Sequence, residues 1–318
     1  MTDKPLISIT TPAYNHEKYI EETIRSVIAQ TYPDLEYIII DDGSSDNTWQ
    51  IIQDLKPECE KRFARFVCLT QQNAGITRTL NRLMENVRGE YVYSLASDDV
   101  AKPRAIEKLY RCLSADPQNV LAVGDDEIIN NRSERVSWDA KRNILPFGIG
   151  YESFGSYLQK MRPDVDFGGE NFGSYKTLLA GNYIPNGFLM RTRAVSPYTA
   201  EAPLEDWYQA LQLSKKGKLV YLDEILFSYR WHGSNTISNI KKINEYSKKT
   251  FAYEREILKD PQFGQYLDIY TRFAETGREK TCFKLGNFFE IYRCKSPFFN
   301  KKFLRLFNKT WCLNSKSK

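Results

Sequence analysis

Acidic side chains stand at two kinds of position in this 318-residue chain, and both suit metal or proton chemistry. In the first half, the pairs Asp41–Asp42 and Asp98–Asp99 each follow a run of apolar residues. In the second half, Glu205–Asp206 stands at the start of a segment with a helical pattern. Carboxylates at strand ends can bind a hard divalent cation, which can in turn hold a pyrophosphate. The chain has neither GxxxxGK(S/T) nor GxGxxG, so any bound phosphates would depend on metal and side chains.

The elements that must position these acids alternate in type along the first 130 residues. Five apolar runs indicate strands, and apolar residues recur at helical spacing between them, as in HEKYIEETIRSVIAQT. This alternation predicts an α/β fold with βαβ units and a mostly parallel sheet. Ligands of such sheets bind outside the carboxyl ends of the strands. The predicted strands are LISITTP, LEYIIIDD, FVCLTQ, YVYSLA and VLAVGDD, and the polar clusters that follow strands are Tyr14–Asn15, Asp41–Asp42, Asn73–Gly75 and Asp98–Asp99.

From about residue 131 the alternation stops. A polar, glycine-rich and aromatic region follows, with one helical stretch at YESFGSYLQKMR. Regular patterns return at NYIPNGFLMRTRAV, then a helix at EDWYQALQLSKKGK and strands at KLVYLDEILFSYRWH. After residue 239 the pattern is helical and basic.

Composition narrows the classes of protein that fit. Nothing in the sequence approaches the roughly 18–20 apolar residues of a spanning helix, and the start favours a strand over a secretory signal. The six cysteines form no CxxC pair, which argues against a zinc site or a disulfide framework and favours the cytoplasm. With only two histidines, His16 and His232, we expect no multi-histidine metal site.

The charge is unevenly distributed along the chain. From Lys280 to the end there are ten basic residues and one acid, Glu290. The segment SPFFNKKFLRLFNKTW mixes aromatic and basic residues in a pattern typical of interfacial helices. We predict peripheral attachment to the inner face of an anionic membrane. The alternative is a helical cap packed on the rest of the protein with its charges solvated.

The string TPAYNHEKYIEETIRSVIAQTYPDLEYIIIDDGSSDNT resembles the opening of family-2 glycosyltransferases, which have the GT-A fold. The likeness continues through NAGITRTLN, GEYVYSLASDDVAKP, a late ED pair and YRWHGSN, and so covers about residues 5–238. It implies an inverting enzyme that moves a sugar from a UDP-sugar to a hydroxyl of a glycan or lipid-linked glycan, with Mn²⁺ or Mg²⁺. Surface polysaccharide synthesis, as of O-antigen, is the implied setting.

The resemblance assigns residues to the nucleotide. Asp41 and Asp42 match the acids that read the uracil and ribose, and a carboxylate can accept a hydrogen bond from uracil N3–H. Asn73 and Gly75 match an NxG motif near the base and ribose. Asp46, in contrast, is expected only to cap the following helix. The loop that receives the base is matched by Thr11, Pro12, Ala13 and Tyr14.

The resemblance also implies a metal and phosphate site. SDD matches the metal-binding strand end, although Ala96 replaces the first acid of the fuller motif. Asp98 is then expected on the nucleotide side, with Asp99 and His232 at the metal. Leu80 stands where many members carry arginine, so Arg78 is a candidate phosphate partner. Arg230 is expected to pair with phosphate or with a carboxylate such as Asp99.

The late ED pair matches the catalytic acids of the family. Inversion needs a carboxylate on the face opposite the departing nucleotide, where it takes the proton of the attacking hydroxyl. Asp206 fits this role, and Glu205 is expected to be structural or to bind acceptor. The alternative is that both acids only favour the helix dipole. Asp125 and Asp126 do not match the family's metal position and are expected to be structural or on the acceptor side.

These assignments divide the chain into three parts. Residues 1–130 form the nucleotide-sugar-binding half of a GT-A domain, residues 131–238 the acceptor half with the base, and residues 239–318 a basic helical extension. A sugar-phosphate nucleotidylyltransferase is one rival, but it would want a glycine-rich basic loop after the first strand, and TPAYNHEKY is not one. A catalytically inactive sugar-nucleotide-binding or scaffold protein is the other, and Ala96 is its best support.

Overall fold

A computed structural model of the protein describes residues 4–232, Asn235 and 239–275. Strands and helices alternate through the first half, as the sequence predicts. Within these residues the strands are β1 (Ile7–Ala13), β2 (Leu35–Asp41), β3 (Arg65–Thr70), β4 (Tyr91–Ser94), β5 (Val100–Ala101), β6 (Asn119–Ile129), β7 (Arg135–Trp138), β8 (Ile144–Pro146), β9 (Leu189–Arg191) and β10 (Lys218–Arg230). The α-helices are α1 (Ile20–Ile28), α2 (Thr48–Asp54), α3 (Lys56–Arg62), α4 (Ile76–Asn86), α5 (Ala105–Ser114), α6 (Phe154–Met161), α7 (Tyr175–Leu178), α8 (Glu205–Ser214), α9 (Ile240–Ile257) and α10 (Gly264–Glu275).

The ten described strands form one sheet, in the order β3-β2-β1-β4-β9-β6-β10-β5, with β7 paired to β6 and β8 paired to β7. β1 is parallel to β2 and to β4, and β2 is parallel to β3. The short strand β9 runs antiparallel between β4 and β6. β10 lies parallel to β6 with shifts of register. The carboxyl ends of β1, β2, β3, β4, β6 and β10 therefore meet at one edge, which is where the polar clusters were expected.

The sheet is covered on both faces, which explains the continuous apolar runs in its strands. Side chains on a strand point alternately to its two faces. Tyr91 and Tyr93 accordingly pack in one buried cluster with α1 and α5, while Val92 packs in the other with α6, α7 and α8. Burial on both faces holds the strand ends rigidly relative to each other.

Several short elements were missed because their sequences lack a regular pattern. α3 is the segment KPECEKR, in which Cys59 is the one buried residue. The hairpin of β7 and β8 lies in the region we predicted to be irregular, and β5 has only two residues. These short strands are specified by pairing with longer neighbours rather than by their own periodicity.

Beyond residue 239 the chain is helical as far as it is described. Phe251 of α9 stacks on Tyr270 of α10, with ring centroids 4.5 Å apart. The carboxylate of Glu254 on α9 accepts hydrogen bonds from Tyr175 (2.7 Å), Gln212 (2.8 Å) and Lys215 (2.8 Å). No helix in the described ranges has the length and apolar character needed to cross a bilayer. The basic segment expected at the membrane, residues 280–318, lies outside the described residues.

Candidate active site

The polar clusters at the edge of the sheet line one large cavity of about 1110 Å³. Loops after β1, β2, β3 and β4 form one side. The start of α8, the end of β10 and the face of α9 that carries Lys242 and Tyr246 form the other. Residues from both predicted halves and from the C-terminal extension therefore face the same space.

Asp42 organises the part of the cavity expected to receive the nucleoside. Its carboxylate accepts hydrogen bonds from the backbone N–H groups of Ala74 and Gly75, both at 2.9 Å, and from the Gln71 amide at 2.6 Å. Gly43, next in the chain, has φ +76°, and a Cβ there would lie 2.8 Å from Asn73 N. A glycine is thus needed for the two loops to lie this close.

The structure brings most, but not all, of the predicted nucleotide residues to the cavity. Asp41 and Thr11 lie behind the lining: Asp41 accepts from Ser44 and Thr70, and Thr11 from Tyr37. Their carboxylate and hydroxyl support the loops and have partners within the protein. The predicted nucleotide residues in the lining are Pro12, Ala13, Tyr14, Asp42, Asn73, Gly75 and Asp98.

Two histidines and an aspartate meet near the middle of the cavity. His232 Nε2 lies 2.9 Å from Asp98 Oδ2, and His16 Nε2 lies 4.0 Å from the same oxygen. One nitrogen or oxygen from each residue falls within 4.8 Å of the others, a spacing that suits a shared metal ion. The expectation of no multi-histidine site did not anticipate this group, because the fold joins positions 216 residues apart in the sequence.

Charge and burial act against each other in this group. Burial raises the pKa of the Asp98 carboxyl, but the hydrogen bond from His232 and the nearby histidines outweigh it, so its pKa is lowered. Burial lowers the pKa of His16 despite Asp98. Both effects favour a carboxylate beside a neutral imidazole, which are the forms that bind metal.

Asp99, predicted at the metal, lines the cavity beside Asp98, whereas Arg230, predicted to pair with phosphate or with a carboxylate such as Asp99, lies outside the lining. Asp99 Oδ1 accepts the backbone N–H of Arg230 at 2.8 Å. The Arg230 guanidinium is buried and donates to Asp98 O, Asn130 O, Ser133 Oγ and Glu22 Oε2. Burial and the charge of Asp98 raise the pKa of Asp99 well above its usual value. With four of its five guanidinium hydrogens donated within the protein, Arg230 fixes the backbone around Asp98.

Glu205 and Asp206 begin α8 and face the cavity. Asp206 is open to the cavity, whereas Glu205 is half-buried. Desolvation raises the pKa of Asp206 to about 6. Desolvation and the charge of Asp206 together raise the pKa of Glu205 to about 8. The two carboxyls titrate as a pair, and the pair carries about one negative charge near neutral pH.

Of Asp46, Asp125, Asp126 and Arg78, only Asp46 lines the cavity. Asp46 accepts from Thr48 N at the start of α2, but the N-cap position is Asn47, and Asp46 also lines the cavity. Asp125 accepts from Gly155 N, and Asp126 from Asn186 N, and neither lines the cavity. Arg78 is exposed and outside the lining.

Several lining residues carried no recognisable motif. They come from segments that are irregular or far apart in the sequence, so no periodicity marks them. His16 alone had a signal, since it directly follows the string TPAYN. The unpredicted residues of interest are His16, Arg142, Phe154, Asn182, Asn186, Lys242 and Tyr246.

Comparison with known proteins identifies the family to which this chain belongs. The family model described as Glycosyl transferase family 2 matches residues 8–169, just over half of the chain. An uncharacterized glycosyltransferase of Haemophilus influenzae is 29% identical over 263 residues, which is 78% of this chain and 73% of the relative. A chondroitin synthase of Escherichia coli is 30% identical over 260 residues, 80% of this chain. The chain spans only 33% of that synthase.

Solved structures show the same fold. The TarS fragment of S. aureus in complex with UDP-GlcNAc superposes with a TM-score of 0.56 at 17% identity, covering 86% of this chain and 72% of that one. A mannosyltransferase of Pyrobaculum calidifontis in complex with GDP-Man and Mn²⁺ has a TM-score of 0.59 at 14% identity, covering 88% and 74%. The fold is GT-A, and the chain is a glycosyltransferase that belongs to glycosyl transferase family 2.

Proposed function

We propose that the protein is an inverting glycosyltransferase that moves a sugar from a UDP-sugar to a hydroxyl of a glycan or lipid-linked glycan. One observation carries this proposal: a single cavity contains the Asp42 loop, the His16–Asp98–His232 group and the Asp206 carboxylate. A base-reading loop, a diphosphate site and a proton acceptor are the three parts that such a reaction needs.

The nucleoside would bind between the loops after β1 and β3. The ring of Tyr14 is 48% exposed at the cavity, unusual for a large aromatic side chain, and offers a surface on which a base can stack. The Asp42 carboxylate accepts hydrogen bonds from Ala74 N and Gly75 N, so Asp42 would both fix the loop after β3 and face the nucleoside.

A divalent metal fits the His16–Asp98–His232 group by its donor chemistry. Two imidazole nitrogens and one carboxylate oxygen suit Mn²⁺ better than Mg²⁺, because Mn²⁺ accepts nitrogen ligands more readily and Mg²⁺ prefers oxygen. When bound, the cation would supply positive charge for the departing diphosphate. Asp99 and Arg230 would hold the Asp98 strand end in place behind it.

Asp206 is proposed as the general base. The acceptor oxygen attacks the anomeric carbon while the bond from that carbon to the diphosphate oxygen breaks. The hydroxyl proton passes to Asp206 as the new glycosidic bond forms, and the configuration inverts because attack and departure are on opposite faces. Glu205, with its raised pKa, keeps its proton near neutral pH and can donate a hydrogen bond to acceptor.

The direct test is release of UDP from a panel of UDP-sugars, with glycan acceptors, in the presence of Mn²⁺, Mg²⁺ or a chelator. We expect release for a subset of sugars, stimulated by acceptor and strongest with Mn²⁺. Transfer that is indifferent to chelation would overturn the metal assignment. Tight UDP binding without transfer to any acceptor would favour an inactive binding protein instead.

A further inference from the structure

One charged side chain in the wall of the cavity has no counter-charge among the residues that the structure describes. Arg142 lines the cavity and is only 9% exposed. Among the described residues, its guanidinium has neither a hydrogen-bond acceptor nor a carboxylate oxygen within 4.0 Å. The other buried arginines of the described chain are paired: Arg162 with Asp164, Arg191 with backbone carbonyls, and Arg230 with Glu22.

A largely buried cation without a protein anion beside it has lost part of its hydration, and no ion pair replaces what was lost. Here the one open direction is the cavity itself. The position of this guanidinium therefore points to an anion that enters the cavity and pairs with Arg142 there.

The loop around Arg142 is built to direct this side chain inward. Asp139 Oδ1 accepts from the backbone N–H groups of Lys141 (2.7 Å) and Asn143 (2.9 Å), and Asp139 O accepts from Arg142 N (3.0 Å). Within this closed loop Arg142 has φ +62°, a left-handed conformation that residues other than glycine seldom adopt. Lys141 and Asn143 on either side are exposed, so only the middle side chain of the three is buried.

Arg142 has different neighbours from the residues of the proposed diphosphate site. Its guanidinium is 5.6 Å from the ring of Trp231, which in turn packs on Trp138 with centroids 4.9 Å apart. The next residue, His232, contacts Tyr19, with ring centroids 5.4 Å apart, and Asp98. Arg142 and the metal group therefore border the same cavity through different contacts, so the test must distinguish a sugar carboxylate from the diphosphate.

The surroundings of Arg142 suit a sugar. Tyr229 and Phe154 also line the cavity and belong to the same aromatic group, with centroids 6.1 Å apart. Aromatic faces pack against the C–H faces of sugar rings, while a planar guanidinium can bind both oxygens of a carboxylate. This combination would recognise a sugar that carries a carboxylate.

We propose that Arg142 binds the carboxylate of an acidic sugar, so that the substrates of this enzyme include a hexuronate as donor or as acceptor. The proposal rests on the proposed function, and it names the class of saccharide that the same cavity takes. Arg142 would act as a specificity-determining residue that takes no part in the proton transfer.

Binding measured by calorimetry, with Mn²⁺ present, tests this in two arms. In the donor arm UDP-glucuronate and UDP-galacturonate are compared with UDP-glucose and UDP-galactose. In the acceptor arm the methyl glycosides of the same four sugars are titrated into the UDP-loaded protein. The variants are Arg142→Met, Arg142→Lys and, as the matched control from the same loop, Lys141→Met.

We expect the wild type and Lys141→Met to prefer the acidic sugar by about 10- to 100-fold in one arm, the range for a hydrogen-bonded ion pair. Arg142→Met should abolish that preference without changing affinity for UDP, and Arg142→Lys should keep part of it. Thermal melts of each variant check that it is folded. The arm in which the preference appears says whether donor or acceptor carries the carboxylate.

Two results would overturn the inference while leaving the proposed function intact. One is equal binding of acidic and neutral sugars by the wild type in both arms. The other is an Arg142→Met variant that loses UDP itself as strongly as it loses a UDP-sugar, since the anion would then be the diphosphate. A wild type that binds no UDP with Mn²⁺ would instead remove the proposed function.

Discussion

At the residue scale, the proton acceptor is the most specific part of the proposed reaction. Asp206→Asn removes the base and changes neither the size nor the shape of the side chain. We expect transfer to fall by roughly 10²–10⁴-fold, as is usual for loss of a general base, while UDP affinity stays unchanged. Steady-state rates and UDP calorimetry on the same preparation measure both. Transfer at the wild-type rate would exclude Asp206 and make Glu205 the next candidate.

The raised pKa of Asp206 makes a prediction about pH. A base works only when deprotonated, so kcat/KM should fall as pH drops through about 6 and level off above it. Protonation of the histidines at low pH could mimic this by releasing metal. Repeating the profile at higher Mn²⁺ separates the two, because only a limb caused by metal loss shifts with Mn²⁺ concentration. A limb that moves wholly with Mn²⁺ would contradict the assignment to Asp206.

The metal proposal distinguishes two neighbouring acids. Asp98→Asn removes a charged donor from the histidine group, so UDP binding should lose its stimulation by Mn²⁺. Asp99→Asn keeps an oxygen that can accept from Arg230 N, so the stimulation should persist. Calorimetry with UDP, with and without Mn²⁺, compares these with Asp223→Asn, an exposed control. The reverse pattern would return the metal to Asp99, as the sequence alone suggests.

The difference between Asp98 and Asp99 shows how much of the site can be predicted from residue types alone. The SDD motif predicts acids at a strand end, but which one faces the cavity depends on the local turn and on Arg230. His16 could be placed near TPAYN but not beside His232, because that contact needs the folded sheet. Arg142 carries no signal, since its importance comes from lacking a partner, which a sequence does not reveal.

At the scale of elements, α9 is held against α7 and α8 by an ion pair. Lys215 and Glu254 have side chains that are each 1% exposed, with nitrogen and oxygen 2.8 Å apart. Replacing one partner leaves an unpaired buried charge, whereas replacing both does not. We expect Lys215→Met to lower the free energy of unfolding by about 3–5 kcal/mol.

Urea unfolding of the single variant, a double variant and a control variant, each compared with the wild type, checks this prediction. The double variant Lys215→Met, Glu254→Leu should lose less stability than the single variant, and the exposed control Lys248→Met should lose almost none. Equal losses for the single and double variants would mean that packing, rather than charge, holds α9 in place.

The elements also show what the sequence predicts well. β1, β2 and β6 are long, apolar and bounded by polar residues, and all three were placed within a few residues of their observed bounds. β9 is too short for periodicity and is held by its neighbours β4 and β6. Its antiparallel insertion into a parallel sheet is a tertiary property, so the general fold was predictable while the strand order between β4 and β6 was not.

At the scale of the whole molecule, the basic C-terminal segment remains a prediction from sequence. If it binds anionic surfaces, the full chain should pellet with vesicles rich in anionic lipid at low salt and be released as salt rises. A chain ending at Glu279 should stay in the supernatant, and neutral vesicles should pellet neither form. Equal behaviour of the two chains on anionic vesicles would end the idea of membrane attachment.

The cavity has one wall from residues 12–99 and the other from residues 142–247, and the two meet in one continuous sheet through β6 and β10. The matched family region covers the first wall and stops at residue 169, before most of the second. Under the proposed function, the first stretch provides the nucleoside contacts and the second most of the saccharide contacts, while His232 brings the second stretch to the metal group. A hybrid formed by recombination between relatives near β6 would therefore have to keep the contacts that join the two stretches: β4 with β9, β6 with β10, and Asp98 with His232. Those contacts determine which relatives could exchange acceptor preference.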